Sequence, residues 1–245
     1  MDEFLVKTKV SLDIPENQTI IKLPYDFGEK INENTFNENI KVIYFNNSYN
    51  KNINYLPLNL EELHLGMNFN SKINCLKNLL NLKVLKFTNY YNKTIDFNNL
   101  PQNLELLILK FNCTIINNNN RKLKNIKITD INENILKNLF AENLFAENLY
   151  LYIRNFKDLD ENNCKNFNNI FLYSSFKENL ININNSDKFE KEEIIELDKF
   201  KIDNYIDYSY GKVFIMKIIP KKELSEKEKL INDIELKLIE LKKLI

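Results

Sequence analysis

The chain has 245 residues, 34 basic and 34 acidic, so its formal net charge is zero. That length can bury a full hydrophobic core as one domain or as a repeat array with an appendage. The charge balance provides no whole-molecule field to draw the protein to nucleic acid or an anionic membrane. No apolar run of about 18 residues is present, and Met1–Lys7 has neither the basic start nor the apolar centre of a signal peptide. The expectation is a soluble cytoplasmic protein without nucleic-acid or membrane partners.

Residues 1–16 are read as an N-terminal cap. Phe4-Leu5-Val6 and Val10 to Ile14, closed by Pro15, suit an edge strand over the open end of a stack. Residues 17–186 form the repeat region. From Leu60 as origin, Leu63, Leu65, Phe69 and Ile73 follow, and the same slots return 22 residues later as Leu82, Leu85, Phe87, Tyr91 and Ile95. Earlier turns read Gln18, Ile21, Leu23, Phe27, Ile31 and Ile40, Ile43, Phe45, Tyr49, Ile53. Later ones open on Leu104, Leu107, Leu109 and on Leu123, Ile126, Ile128, with shortened returns, and Phe167, Ile170, Leu172, Phe176, Leu180 restores the full spacing. Between them Asn148, Leu151 and Ile153 fit the first half only, beside the direct duplication within Phe140–Leu149.

The second and third slots are two residues apart, which on an extended strand places both side chains on one face. A turn of this size cannot bury its own apolar side chains, so successive turns must share one core with their strands in a parallel sheet. The fold class expected is a repeat solenoid of stacked short parallel strands with irregular or short-helical returns.

The spacings Leu60-x-x-Leu63-x-Leu65-x-x-Asn68 and Leu104-x-x-Leu107-x-Leu109-x-x-Asn112 resemble leucine-rich repeats. The motifs Tyr49-Asn50-x-x-Ile53, Phe69-Asn70-x-x-Ile73, Tyr91-Asn92-x-x-Ile95 and Phe111-Asn112-x-x-Ile115 resemble FNIP repeats more closely, as do the Leu-Pro-x-Asn-Leu openings at Leu56 and Leu100. The resemblance spans residues 17 to 182. It implies an asparagine ladder along the stack, a viral or amoebal setting and a role in protein interaction. Some FNIP proteins carry an N-terminal F-box; no such helices precede Ile20, so that role is not carried over.

Of 44 asparagines, 42 precede residue 186, which marks a boundary. Residues 187–220 are read as a C-terminal cap, with a surface helix over Asp187–Phe200 from Ile194, Leu197 and Phe200, then a strand over Val213–Ile219 stopped by Pro220. Residues 221–245 are read as an amphipathic helix. Ser225 and Glu228 form a capping box, and Ile231, Ile234, Leu238, Leu241 and Ile245 make a coiled-coil-like seam able to join two copies or pack back on the body.

The outward positions of the strands are the candidate protein-binding face: Val42 and Tyr44, Glu62 and His64, Val84 and Lys86, Leu106 and Ile108. His64, between the inward Leu63 and Leu65, should face solvent or a partner, and Leu106 with Ile108 should form an exposed apolar patch unless a loop or the C-terminal segment covers it. His64 has no nucleophile in a defined partnership, so no enzymatic activity is expected. Cys75, Cys113 and Cys164 are widely separated and show no ligand spacing, and three glycines cannot build a phosphate loop. No metal or cofactor is expected. The partner is expected to be a protein; self-assembly through the last helix is the alternative.

Overall fold

In a computed structural model of the protein, the described residues are 4–5, 14–87, 91–110, 114–129, 144–152, 166–175, 189–191, 195–197, 200–202, 205–207 and 213–220. Their strands in chain order are β1 (Phe4–Leu5), β2 (Ile20–Lys22), β3 (Val42–Tyr44), β4 (Glu62–His64), β5 (Val84–Lys86), β6 (Ile95–Asp96), β7 (Leu106–Lys110) and β8 (Ile115–Ile116). They continue as β9 (Leu123–Thr129), β10 (Ala146–Tyr152), β11 (Phe167–Ser174), β12 (Phe189–Lys191), β13 (Ile195–Leu197), β14 (Phe200–Ile202), β15 (Tyr205–Asp207) and β16 (Val213–Pro220).

Strands β2, β3, β4, β5, β7, β9, β10 and β11 pair in that order, all parallel, and β1 adds at the open end beside β2. The register stacks Ile21, Ile43, Leu63, Leu85, Leu107, Ile126, Leu149 and Ile170 in one column, each 0% exposed. Leu23, Phe45, Leu65, Phe87, Leu109, Ile128, Leu151 and Leu172 make a second buried column. The chain is therefore a parallel β-solenoid with a single shared interior.

The return half is filled by rings and by isoleucines. Phe27 stacks on Tyr49 with centroids 5.8 Å apart, and Phe69 on Tyr91 at 6.2 Å. Tyr49 is buried, which pushes its phenol up to about 12, and its hydroxyl donates to the Asn52 carbonyl. Ile31, Ile53, Ile73 and Ile95 lie beneath the rings, and the returns of two turns pair as β6 with β8. Short 3-10 segments at Asn74–Asn78 and Phe97–Asn99 complete the turns.

Polar side chains join each turn to the one before. Immediately before the first slot, Asn39, Asn59, Asn81 and Asn103 donate to the carbonyls of Glu16, Glu38, Leu58 and Leu80, at 2.8, 3.0, 3.2 and 2.9 Å. Arg121 takes over this task in the next turn, donating to the carbonyls of Phe97, Leu100, Pro101 and Gln102. A second ladder runs through the FNIP-like asparagines: the Asn70 backbone donates to Asn50 Oδ1 at 2.8 Å, and the Asn92 backbone to Asn70 Oδ1 at 3.2 Å. Asn46, buried, donates to the Pro24 and Phe27 carbonyls. Asn68, by contrast, is exposed and reaches the preceding turn through its backbone N–H to the Asn47 carbonyl. Asn112 lies outside the described residues.

The structure corrects the reading in two places. The turn framed on Asn148, Leu151 and Ile153 is two residues out of register: Ala146 pairs with Leu123, Leu149 with Ile126 and Leu151 with Ile128. A small alanine in a slot otherwise held by large side chains hid the frame. Over Asp187–Phe200 the described residues form β12 and β13 and open β14, not a surface helix. β16 pairs antiparallel with β11, β12 and β13 line its other edge, and β14 pairs with β15 in a separate sheet. Apolar residues three apart suggested a helix, but Ile195 with Leu197 and Phe200 with Ile202 also fit a period of two, and a sheet edge offers such strands unpaired N–H and C=O groups. The helix expected over 221–245 lies outside the described residues.

Two substitutions test this core. Leu63→Ala should cost about 2–5 kcal/mol by urea denaturation, because it opens a cavity in the stacked column. Gly66 sits so close to the preceding turn that an added Cβ would overlap the Asn46 carbonyl oxygen. Gly66→Ala should therefore cost about 1–3 kcal/mol although it adds a single methyl group.

Candidate interaction face

All eight sequence-predicted face residues come together on four neighbouring strands. Val42, Glu62, Val84 and Leu106 align in one row and Tyr44, His64, Lys86 and Ile108 in the next. Alternation along each strand turns these side chains away from the interior column. Lys22 begins the second row, which continues past Ile108 through Lys127, Tyr150 and Phe171. The sequence reading missed those members, although each is the residue between two inward slots of its own turn.

The N-terminal part of the face is a stack of cations and rings. Lys22 Nζ lies 5.3 Å from the centre of the Tyr44 ring, and Tyr44 stacks on His64 with centroids 4.2 Å apart. His64 Nε2 meets Glu62 Oε2 at 3.2 Å. His64 was expected to face solvent or a partner, yet it is 6% exposed, enclosed in this stack. Burial holds its pKa below the ordinary 6.5; Lys86 and Lys22 act in the same direction, and Glu62 opposes them. Lys22, Val42, Tyr44, Glu62 and Lys86 are half-buried.

The C-terminal part differs. Leu106 and Ile108, expected as an exposed patch, are each 1% exposed and form an apolar cluster with Val84, Tyr152 and Tyr173, separate from the interior. Lys127 is fully buried there, its ammonium 5.0 Å from the centre of the Tyr173 ring. Tyr150 stacks on Phe171 at 4.7 Å. Alongside runs an amide ladder, Asn169 donating to Asn148 at 2.8 Å and Asn148 to Asn125 at 2.9 Å. The face is thus half-buried over β2 and β3, sealed at Leu106, Ile108 and Lys127, and half-buried again at Tyr150 and Phe171.

At the N-terminal edge of the strands runs a row of alternating charge. Lys41 pairs with Glu61 at 2.8 Å, Glu61 with Lys83 at 3.6 Å, and Lys124 with Glu105 at 3.5 Å. Glu61 has its pKa lowered, chiefly by the Lys41 hydrogen bond. Lys41 and Glu61 of this row, with Asn39, Asn59 and Asn81 of the first asparagine ladder, line a shallow groove of about 480 Å³. Beside it Leu58 and Leu80 stand 60% and 56% exposed. Among the described residues no group of three or more His, Cys, Asp and Glu could hold a metal ion, and no helix is long and apolar enough to cross a membrane. Cys75 is half-buried, and burial pushes its thiol pKa up. Cys113 and Cys164 lie outside the described residues.

Short parallel strands, apolar columns and asparagine ladders define the class: a leucine-rich-repeat-like solenoid. No protein-family model matches the chain, and no curated protein matches it. Among solved structures it is similar to CroV588, described as a novel circular LRR protein structure, at 22% identity and a TM-score of 0.48. The match covers 66% of this chain and 28% of that one, so this chain spans less than a third of that protein's length.

Two measurements follow from the face. Because the folded pKa of His64 is depressed, its contribution is fully present above the ordinary value of 6.5 and is lost as pH falls through the folded value. Wild type should therefore lose stability as pH falls below 6.5, and His64→Phe should lose less. Leu106→Ser combined with Ile108→Ser should lower stability by at least about 3 kcal/mol, since both positions are core-like; an unchanged denaturation midpoint would contradict their burial.

Proposed function

We propose that the protein is a non-enzymatic interaction module that binds another protein through the half-open end of its outward sheet face. The observation that carries this is the contrast along the two rows: buried at Leu106, Ile108 and Lys127, half-buried over Lys22, Val42, Tyr44, Glu62 and Lys86. A rigid sheet presenting rings, a carboxylate and two ammonium groups in fixed register suits a protein surface of mixed polarity, and solenoids use such extended surfaces for binding. The turns are of FNIP type on this reading. Support comes from the Tyr49-Asn50, Phe69-Asn70 and Tyr91-Asn92 pairs, whose rings fill the core while their amides link the turns. A cytoplasmic setting in an amoebal or virus-infected cell follows from the same resemblance.

Affinity capture from amoebal extract, with the full chain as bait, tests the proposal. Tyr44→Ala combined with Lys86→Glu should reduce recovery of the captured protein at least about tenfold, in line with hot-spot losses above ~1.4 kcal/mol. Leu80→Ser, exposed and off this face, should leave it unchanged. Equal recovery by both variants would exclude the face, and a bait that retrieves only itself would indicate an assembly protein.

A further inference from the structure

We propose that the outward face takes an extended acidic segment of its protein partner, laid across β2 to β5 with carboxylates four residues apart over Lys22 and Lys86 and an apolar side chain between them. This rests on the reading that a partner engages this face, and adds the chemistry that selects it. Register puts Lys22, Tyr44, His64 and Lys86 side by side in one row, a stacked ring pair with a lysine at either end. Three strand spacings of about 4.8 Å set the two lysines about 14 Å apart. In an extended segment alternate side chains share a face at about 3.3 Å per residue, so the first and fifth residues lie about 13 Å apart. The third then falls midway, over the seam between Tyr44 and His64.

Charge favours an acidic occupant. The chain as a whole is neutral and its strand edge alternates in sign, yet the row through Tyr44 is basic. Beyond Lys86 it reaches Lys127 and, through the pairing of β16 with β11, Lys217, with no acid among its described residues. Glu62 stands in the neighbouring row, and His64 already engages it at 3.2 Å. An ammonium has three N–H donors, so a partner carboxylate adds to the contacts that Lys22 and Lys86 make within the fold. The rings argue against the other kind of polyanion, a single-stranded nucleic acid. Tyr44 has the Lys22 ammonium 5.3 Å from its ring centre and His64 stacked on it at 4.2 Å, while Tyr150 and Phe171 stack on each other. Rings whose faces are taken by their neighbours do not offer the platform on which bases stack. An aliphatic side chain has no such requirement and packs against ring edges.

The test selects displayed random peptides on the full chain. Enriched sequences should carry Asp or Glu at two positions four apart, with an apolar residue midway. A synthetic copy of an enriched peptide should bind at least about tenfold more weakly to the Lys22→Glu, Lys86→Glu double variant, and equally well to Lys72→Glu, which is exposed and off the face. Should the double variant fail to fold, the unaltered chain decides: affinity for the peptide should fall at least about fivefold between about 0.01 M and about 0.15 M salt. Enriched peptides without the acid pair, salt-indifferent affinity, or equal binding by both variants would overturn the proposal. An oligothymidylate that binds more tightly than the peptide would also overturn it, by assigning the face to nucleic acid. A captured protein that is lost on Tyr44→Ala with Lys86→Glu, but whose bound segment lacks the acid pair, would remove the acidic preference and leave the face standing. Capture indifferent to those changes would remove the face itself.

Discussion

A solenoid turn cannot satisfy itself, and the rest of the structure follows from that constraint. Each strand here is only a few residues long, so its side chains find a dry environment only against the turns above and below. The backbone of the intervening bends faces the same difficulty with hydrogen bonds. Asn39, Asn59, Asn81 and Asn103 resolve it by donating one full turn back to carbonyls that have no helix or sheet partner. These bonds lie at an exposed edge, so each contributes at most about 0.5–1.5 kcal/mol net. The ladder thus stabilises each bend by tying it to its neighbour. Where the asparagine is missing, Arg121 spreads its guanidinium over four carbonyls, and burial lowers its pKa.

Aliphatic columns favour stacking but scarcely discriminate one turn from another, since most of the slots hold leucine or isoleucine. The charged row adds that discrimination. Lys41, Glu61, Lys83, Glu105 and Lys124 alternate in sign along the sheet edge. Each pair, half-exposed, contributes only about 0–1 kcal/mol. Placing a turn beside the wrong neighbour would, however, set like charges side by side. The row therefore acts on the order of turns more than on their stability, a role that surface ion pairs can fill because repulsion penalises alternatives.

Much of this was legible in the sequence. Leu63, Leu85 and Leu107 recur at a fixed step, and a pair of slots two residues apart can face one core only on a strand, so the column, the register and the outward rows all follow from spacing. Three things were not legible, each for a physical reason. Ala146 fills a slot with too little side chain to mark it. Ile194, Leu197 and Phe200 fit a helix period while Ile195 with Leu197 and Phe200 with Ile202 fit a strand period, and the choice was made by an available sheet edge, which is a tertiary fact. Leu106 and Ile108 are buried while Val42 and Tyr44 in the same slots are half-buried, and no local pattern records what lies above a strand. The tract Lys124-Asn125-Ile126-Lys127-Ile128 held a hint: strict alternation puts Lys127 in line with Ile108 and Tyr150.

The position of that lysine bears on function. A buried ammonium is tolerated when it is held by polar or aromatic partners, and Lys127 lies against the Tyr173 ring within an otherwise apolar cluster. A sheet meant to offer Leu106 and Ile108 to a partner would have no need of a desolvated cation among them. On the proposed reading a partner would engage positions that stay half-buried, Lys22, Tyr44 and Lys86 among them. Repeats that are equivalent in sequence are thereby inequivalent in role, and what separates them is the side of the sheet that the repeat pattern does not specify.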